Sequence, residues 1–317
     1  QRQMCIRDRY NMTNSKEITL VTAFFNIGRE NFKAIPRKND TYLNNFEFWA
    51  RIRNKVIIYT SSVMVQPILE IRKKFNQENN TIIVPIDDIE MIEPEILNKM
   101  EQIKDNTWFE RFRILPNATS NIPRYSYLML LKTWFLQDAV TRGYAQGQIA
   151  WFDFGFNHGG RLYTNPEQFD FKWQYGFSDK IHFFYYQAID SKPIYETVRR
   201  LADSIMGCLY IVPDHYCVTL WNLTKNAMKH LVSVDLYDDD QLLLLMAYRS
   251  QPEIFELHQS DWFRPLHDYG ASHLQMRETI DRPKYKQIVI NFIVKYKRIK
   301  LAFRNSIITF KDLICKD

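Results

Sequence analysis

The sequence predicts an α/β fold, with a mostly parallel central sheet and helices on both of its faces. Apolar, β-branched runs alternate with helix-like stretches from residue 18 to residue 249. The strand-like runs are apolar at consecutive positions, which is typical of strands buried on both faces of a parallel sheet. Several of these runs end in polar residues, and in such sheets ligands bind outside the carboxyl ends of the strands.

The first half of the chain shows the alternation most clearly. Residues 18–25 (ITLVTAFF) are rich in β-branched and aromatic residues and stop at an Asn-Ile-Gly turn signal. The elements that follow are, in order, a helix over 42–53, a strand over 55–60 (KVIIYT), a helix over 66–76, a strand over 81–86 (TIIVPI) and a helix over 93–103.

The next helix, predicted over 123–142, has the strongest periodicity. Pro123 suits its first turn and Gly143 its C-terminal end. Its apolar residues share one face at helical spacing: Tyr127, Leu128, Leu131, Trp134, Phe135 and Ala139. The later elements are a buried strand over 149–152, a strand over 180–186, a strand-to-helix unit over 208–232 and a helix over 242–249.

The composition indicates a globular protein with a large core, since 46% of the 317 residues are hydrophobic and 15% are aromatic. No apolar run approaches the ~18–20 residues of a membrane-spanning helix. Apart from Cys5, three cysteines are present without CxxC spacing, which argues against a disulfide framework and against a zinc site. Because no export signal is seen either, we expect a cytoplasmic protein.

The chain divides into three predicted segments. Residues 1–11 contain MCIRDR, which resembles a translated sequencing adapter, so we expect a non-native leader and a natural start near Met12. Residues 12–278 are predicted to form the α/β domain and residues 279–317 a basic helical tail. The net charge of 281–317 is +7, from ten Lys or Arg and three Asp, whereas the whole chain carries +6. The rest is therefore nearly neutral.

The tail has the pattern of a basic amphipathic helix. Its apolar residues recur three or four apart, with Lys and Arg between them: Val289, Phe292, Tyr296, Ile299, Phe303, Ile307, Phe310 and Ile314. Packing against the body is slightly favoured. The alternatives are anchoring on an anionic surface at the inner face of the cytoplasmic membrane and, more weakly, a calmodulin-target-like helix. No nucleic-acid partner is expected, because the body is nearly neutral.

The chemistry that stands out is acidic. The motifs GxxxxGK[ST], GxGxxG, GxSxG and HExxH are all missing from the sequence. Asp153 ends a strand in the stretch IAWFDFGFNHGG, and Asp238, Asp239 and Asp240 precede a strongly apolar helix. One Asp would suffice to cap that helix, and three adjacent carboxylates repel each other unless cations, donors or solvent compensate. The cluster therefore favours a functional site over capping alone.

Carboxylates of this kind suit Mg²⁺ or Mn²⁺, which also bridge phosphates. An enzyme that displaces a diphosphate needs such a cation and basic side chains for the leaving charge, with a separate carboxylate as base. Arg29, Arg124 and Lys132 are the candidate basic residues, and His267 or His273 is a candidate imidazole ligand late in the chain.

Several long stretches, taken in order, resemble the HtrL/YibB family of bacterial proteins. They are VTAFFNIGRENF (21–32), YLMLLKTWFLQDAV (127–140), IAWFDFGFNHGG (149–160), FDFKW (169–173) and DDDQLLLLMAYRSQPEIFEL (238–257). The resemblance covers roughly residues 18–274. Because this family is associated with lipopolysaccharide gene regions, the resemblance implies a role on cell-envelope glycans.

The order of the motifs is also similar to that of GT-A glycosyltransferases. In those enzymes a DxD motif holds a cation on the sugar-nucleotide diphosphate, a later acidic motif approaches the acceptor or the reacting sugar, and a late His often completes the metal site. This resemblance implies a GT-A-like domain. In it Asp153 would be the first Asp of DxD, Asp239 or Asp240 with Gln241 would be the later motif, and His273, alternatively His267, would be the last ligand.

One departure from the GT-A pattern matters. Gly155 stands where the second DxD carboxylate would be. Either Asn157 or a His such as His158 compensates, or the cation is held more weakly, or the protein has no metal-dependent activity.

The sequence thus predicts a glycosyltransferase that moves a sugar from a nucleotide-diphosphate donor to a lipopolysaccharide-type acceptor with the help of Mn²⁺ or Mg²⁺. The predicted site residues are Asp239, Asp240 and Gln241 for catalysis, Thr22, Arg29, Arg124, Lys132 and Asp153 for the donor, and Asp153, Asn157 and His273 (or His267) for the metal. The alternative is a non-catalytic glycan- or nucleotide-binding protein on a degenerate glycosyltransferase scaffold.

Overall fold

A computed structural model describes residues 16–32, 36–113, 119–187, 189, 191–200 and 205–277, together with separate positions between 292 and 314. The predicted leader, residues 1–11, lies outside the described residues, and so does much of the predicted tail, including Val289. The tail positions that are described are helical, and their large apolar side chains, such as Phe303 and Phe310, are exposed.

One mixed sheet runs through the described part of the chain. Its strands are β1 (Lys16–Phe24), β2 (Val56–Thr60), β3 (Thr81–Pro85), β4 (Gln148–Phe152), β5 (Gln174–Tyr175), β6 (Ile181–Tyr185), β7 (Ile205–Pro213) and β8 (Phe255–Gln259). Their order is β3-β2-β1-β4-β7-β6-β8, and β5 pairs with the start of β1.

Strand direction agrees with the prediction except at β7 and at the two-residue strand β5, which pairs antiparallel with β1. Strands β3, β2, β1 and β4 are parallel to one another, and β6 is parallel to β8. Strand β7 runs antiparallel to both of its neighbours, β4 and β6. All nine residues of β7 are buried. Its apolar sequence therefore does not distinguish a parallel strand from an antiparallel one. The prediction of a mostly parallel sheet is confirmed.

Helices cover both faces of this sheet, as predicted. They are α1 (Asn39–Trp49), α2 (Val65–Lys73), α3 (Pro94–Lys104), α4 (Thr107–Phe112), α5 (Pro123–Thr141), α6 (Ile194–Arg200), α7 (Cys217–Ser233), α8 (Asp240–Ser250) and α9 (Pro265–Asp268). Helices α1 and α2 pack into one core, and α3, α5, α7 and α8 pack into the other. Side chains alternate between the two faces along β1. Val21 therefore packs into the core with α3, α5, α7 and α8, whereas Leu20 and Phe24 pack into the core with α1 and α2.

Arg72 of α2 is fully buried and joins three elements. Its Nη1 donates to the carbonyl oxygens of Ala50 (2.7 Å) and Ile52 (2.8 Å), which follow α1. Its Nε donates to Thr81 Oγ1 at the start of β3, at 2.7 Å. These uncharged acceptors replace water around the guanidinium. The hydrogen bonds also hold the loop between α1 and β2, which contains Ala50 and Ile52.

None of the helices in the described residues is long and apolar enough to cross a membrane.

Candidate functional site

A cavity of about 240 Å³ opens at the edge of the sheet where β1 and β4 end. Residues after β1, the loop after β4, helices α1 and α5 and the amino end of α8 form its walls. Because β7 runs in the opposite direction, its amino end, at Gly207, also reaches this edge. The cavity therefore lies where ligands bind in sheets with parallel strands.

Lys132 lies between two carboxylates in this cavity. Its side chain is 6% exposed. Its ammonium group donates to Asp153 Oδ1 at 2.8 Å, to Asp240 Oδ2 at 2.7 Å and to the carbonyl oxygen of Gly207 at 2.9 Å. An ammonium group has three N–H donors, so these contacts account for all of them and leave none for a ligand.

Lys132, Asp153 and Asp240 form an ammonium–carboxylate network in which the opposite charges stabilise each other. Burial alone lowers the pKa of Lys132, but the fields of Asp153 and Asp240 outweigh it and hold the pKa well above its ordinary value. The lysine is therefore charged at neutral pH. Burial raises the pKa of the Asp240 carboxyl, and the Lys132 charge opposes that rise. Asp153 also accepts from Trp151 Nε1 at 2.7 Å.

Gly207 allows the network to form because it has no side chain. A Cβ atom at this position would lie 1.9 Å from Asp240 Oδ2, well inside contact distance. Asp240 can approach the backbone of β7 only because position 207 is glycine.

The other two acids of the DDD cluster have partners of their own. Asp238 is buried beside Arg113 Nη1, at 3.5 Å; burial raises the pKa of its carboxyl, and Arg113 opposes the rise. Asp239 caps α8 by accepting from the Gln241 backbone N–H at 3.3 Å, and it also accepts from Ser120 Oγ at 2.7 Å. Of the three, Asp239 and Asp240 line the cavity.

Two arginines and two tyrosines form a basic, aromatic wall. Arg29 Nη1 donates to Tyr42 Oη at 2.6 Å, and the Arg29 guanidinium lies 5.3 Å from the ring centroid of Tyr125. Arg37 lies 5.9 Å from the Tyr42 ring. Sequence reasoning missed Arg37, although a second basic residue in the same loop after β1 was a usable signal. The wall offers guanidinium groups, which suit phosphate oxygens, beside flat aromatic surfaces.

The loop after β4 has four successive residues with positive φ. These angles are 61° at Asn157, 45° at His158, 68° at Gly159 and 112° at Gly160. Such backbone is strained for residues other than glycine, so other contacts must hold Asn157 and His158 in place. The two glycines of the HGG sequence meet this requirement at no steric cost.

Asn157 supplies those contacts and is not a ligand. Its side chain is fully buried. Its Nδ2 donates to the Tyr163 carbonyl at 2.8 Å, and its Oδ1 accepts from the backbone N–H groups of Leu162 (2.7 Å) and Tyr163 (3.0 Å). The predicted role of Asn157 as a metal ligand is therefore replaced by a structural one, because its oxygen is turned into its own loop.

The histidines are placed differently from the prediction. His158 lines the cavity, and desolvation, followed by the charge of Arg37, lowers its pKa to about 4, so its imidazole is neutral. His273 Nε2 bonds the Gln168 carbonyl at 3.0 Å, and His267 Nδ1 bonds Asp268 Oδ1 at 3.0 Å. Neither of these late histidines lines the cavity.

Two predicted donor-binding residues also lie outside the cavity lining. Thr22 is fully buried within β1. Arg124, in the first turn of α5, pairs with Glu90 at the surface. The structure brings together Arg29, Lys132, Asp153, Asp239, Asp240 and Gln241 from the predicted set.

The residues around Asp153 do not fit a divalent cation. The charged ammonium of Lys132 at 2.8 Å already neutralises this carboxylate and would repel a second cation. Among the described residues, Asp153 belongs to no group of three side chains able to share one ion; the group that does exist is His182, Glu256 and His258, on β6 and β8.

The solved structures to which this chain is similar include two transferases. One is mouse xyloside xylosyltransferase 1, with a TM-score of 0.40, 10% identity and coverage of 79% of this chain and 90% of that chain. The other is the PaToxG glycosyltransferase, with a TM-score of 0.37, 8% identity and coverage of 75% and 71%. With both scores below 0.5, the fold assignment depends on the strand order described above.

Comparisons of sequence are more specific. Protein HtrL of Escherichia coli (strain K12) is 27% identical over 263 residues, which cover 77% of this chain and 90% of that protein. The family described as "Bacterial protein of unknown function (HtrL_YibB)" matches residues 16–269. That match spans the whole sheet and every residue of the ammonium–carboxylate network, and the chain therefore belongs to the HtrL_YibB family.

Proposed function

We propose that this protein is a glycosyltransferase that moves a sugar from a nucleotide-diphosphate donor to a lipopolysaccharide-type glycan acceptor in the cytoplasm. The observation that carries the proposal is the cavity at the strand ends, where two arginines and the ammonium–carboxylate network face the same space. The arginines suit a diphosphate, and the tyrosines suit a base or a sugar ring. The motif resemblance to GT-A enzymes supports the same reaction class.

The proposed roles differ from residue to residue. Arg29 and Arg37 face the diphosphate. Lys132 fixes Asp153 and Asp240 and does not contact the donor, because its three N–H groups are used. Asp239 is half-buried and lines the cavity. It is therefore the carboxylate that we assign to the acceptor.

The proposed transfer is a direct displacement. The acceptor hydroxyl oxygen bonds to the anomeric carbon of the donor sugar while the bond from that carbon to the diphosphate breaks. Asp239 takes the hydroxyl proton. The electron pair of the broken bond leaves with the nucleoside diphosphate, whose charge faces Arg29 and Arg37. No step is assigned to Mn²⁺ or Mg²⁺, because the donor set at Asp153 does not fit such an ion.

A second candidate function is a non-catalytic nucleotide- or glycan-binding protein on the same scaffold. The observation that favours it is that one buried lysine pairs with both Asp153 and Asp240 and occupies the carboxylates of the site. In that case the cavity binds a donor and no transfer follows.

A nucleotide-sugar panel separates these functions. We expect at least one donor to raise the unfolding temperature and to release its nucleoside diphosphate, with Mn²⁺, with Mg²⁺ and with EDTA alike. Arg29→Gln should weaken donor binding by about 10-fold or more, since a charge-assisted hydrogen bond contributes roughly 1.5–3 kcal/mol. Asp239→Asn should abolish release and keep binding.

The matched control is Arg124→Gln, whose side chain pairs with Glu90 outside the cavity lining. It should bind donors as the unmodified protein does. Binding without release across the panel would select the non-catalytic function. If no donor binds, or if Arg124→Gln is impaired as much as Arg29→Gln, the cavity is not a nucleotide-sugar site.

The tail adds a proposal about location at the inner face of the cytoplasmic membrane. Exposed apolar positions such as Phe303 and Phe310 lie on a helix that also carries exposed Lys300 and Arg304. We expect the full chain to float with vesicles containing anionic lipid and not with neutral vesicles. Phe303→Ser/Phe310→Ser should lose this flotation. If the full chain does not float with anionic vesicles, the membrane interaction is excluded; if Phe303→Ser/Phe310→Ser floats as well as the unmodified protein, these apolar positions do not mediate it.

A further inference from the structure

A second cluster of side chains lies on β6 and β8, away from the cavity. Strands β6 and β8 are parallel neighbours in which His182 pairs with Glu256 and Phe184 with His258. Because side chains alternate along a strand, His182, Glu256 and His258 share one face of the sheet. None of the three lines the cavity that contains Asp153.

Their donor atoms are already close together. His182 Nδ1 lies 2.8 Å from His258 Nε2, Glu256 Oε2 lies 4.0 Å from His182 Nδ1, and Glu256 Oε1 lies 3.8 Å from His258 Nε2. Ligands about 2.0–2.2 Å from one tetrahedral ion are ~3.3–3.6 Å apart. The separations in the structure lie on either side of this value, so side-chain movements of less than about 1 Å are enough to place an ion among the three.

Ser178 orients two of the three side chains. Its carbonyl oxygen lies 3.1 Å from His182 Nε2, and its hydroxyl donates to Glu256 Oε2 at 2.6 Å. A carbonyl partner requires the proton on Nε2, which leaves the lone pair of His182 Nδ1 directed at the cluster. Outer partners of this kind fix the tautomer of histidine ligands and the orientation of carboxylate ligands in metal sites.

Aromatic rings flank the two histidines, and one side of the cluster is open. Phe177 lies 4.8 Å from the His182 ring, and Tyr269 lies 5.1 Å from the His258 ring. The His182 side chain is 2% exposed and that of Glu256 is 45% exposed, so solvent can reach the cluster from the Glu256 side.

We propose that His182, Glu256 and His258 bind one divalent transition-metal ion, with Zn²⁺ as the best match to two imidazoles, one carboxylate and a water molecule. Imidazole suits Zn²⁺ and its neighbours in the first transition row better than Mg²⁺. The ion would tie β8, at the edge of the sheet, to β6. This site is independent of the proposed transferase reaction.

The test uses the full chain after dialysis against a chelator, titrated with Co²⁺ and then with Zn²⁺. We expect one Co²⁺ per chain, visible d–d absorption bands that Zn²⁺ abolishes by displacement, and a higher unfolding temperature with Zn²⁺. Glu256→Gln, at an exposed position, should weaken Zn²⁺ binding by at least about 10-fold, as should His258→Asn.

His230→Asn is the matched control, because His230 is an exposed histidine of α7. It should bind as the unmodified protein does. Saturable binding that disappears in both cluster variants and persists in the control supports the site. The proposal is overturned if binding is not saturable, or if either cluster variant that remains folded by circular dichroism keeps the original affinity. If His258→Asn does not fold, Glu256→Gln decides.

Discussion

Replacing Lys132 with Met is expected to lower the free energy of unfolding by about 3–5 kcal/mol at pH 7.5, measured by urea denaturation. The ammonium of Lys132 is the partner of two carboxylates, of which Asp240 is almost fully buried. Removing one partner of a buried ion pair leaves uncompensated charge in the interior, and such losses are of this size. The same variant should also lose donor binding, since the acids then repel the diphosphate.

The loss should depend on pH. Burial already raises the pKa of Asp240, and without the ammonium the nearby Asp153 raises it further. A carboxyl whose pKa is higher in the folded state binds more protons when folded, so stability increases as the pH falls towards its unfolded value. The difference between Lys132→Met and the unmodified protein should therefore narrow between pH 7.5 and pH 5.

Two variants complete the test. Lys99→Met removes an exposed lysine that pairs with Asp235, and it should change stability by less than about 1 kcal/mol. Lys132→Met/Asp240→Asn removes the unpaired buried charge as well, so it should be more stable than Lys132→Met alone. An additive further loss in the double variant would show that the two residues do not act as a pair.

Replacing Arg72 with Met should lower the free energy of unfolding by about 2–3 kcal/mol without changing donor affinity in the folded protein. The variant leaves the carbonyl groups of Ala50 and Ile52 without their donor inside the protein, and each such group costs about 1–3 kcal/mol. Burial lowers the pKa of the Arg72 guanidinium to about 9. Loss of this desolvated charge therefore offsets part of the cost.

Lys73→Met is the control in the same helix, because Lys73 is exposed and pairs with Glu70 along one face of α2. We expect a change of less than about 0.5 kcal/mol. Urea denaturation gives the stability, and the donor-induced thermal shift gives the affinity. Equal losses for Arg72→Met and Lys73→Met would mean that the buried hydrogen bonds of Arg72 contribute nothing.

The strand–helix alternation and both covered faces could be read from the sequence, because runs such as ITLVTAFF and KVIIYT have a clear length and flanking turn signals. The direction of β7 could not be predicted, since its residues are buried throughout and carry no pattern that distinguishes a parallel strand from an antiparallel one. Strand β8 (FELHQ) does not stand out in the sequence, because it contains no β-branched residue and polar residues occupy three of its five positions.

The candidate site was predictable only in part. Ligands bind at the carboxyl ends of parallel strands, and this rule predicts a site at Asp153. The three acids before α8 were also predicted to belong to a site, and Asp240 lines the same cavity as Asp153. The partner of these acids was not predicted: Lys132 was assigned to the donor, although a lysine among the buried residues of α5 is a sign of an internal ion pair. Asn157 and His273 carry atoms that can bind a metal, but the sequence does not show the hydrogen bonds that occupy those atoms.

The ammonium–carboxylate network also has a consequence for the folding pathway. Lys132 and Asp240 are 108 positions apart in the chain, and each loses hydration before it gains its partner. Their attraction becomes favourable only when α5, α8 and the amino end of β7 have closed together and excluded water. We therefore expect the network to form late in folding and to slow unfolding rather than to speed folding.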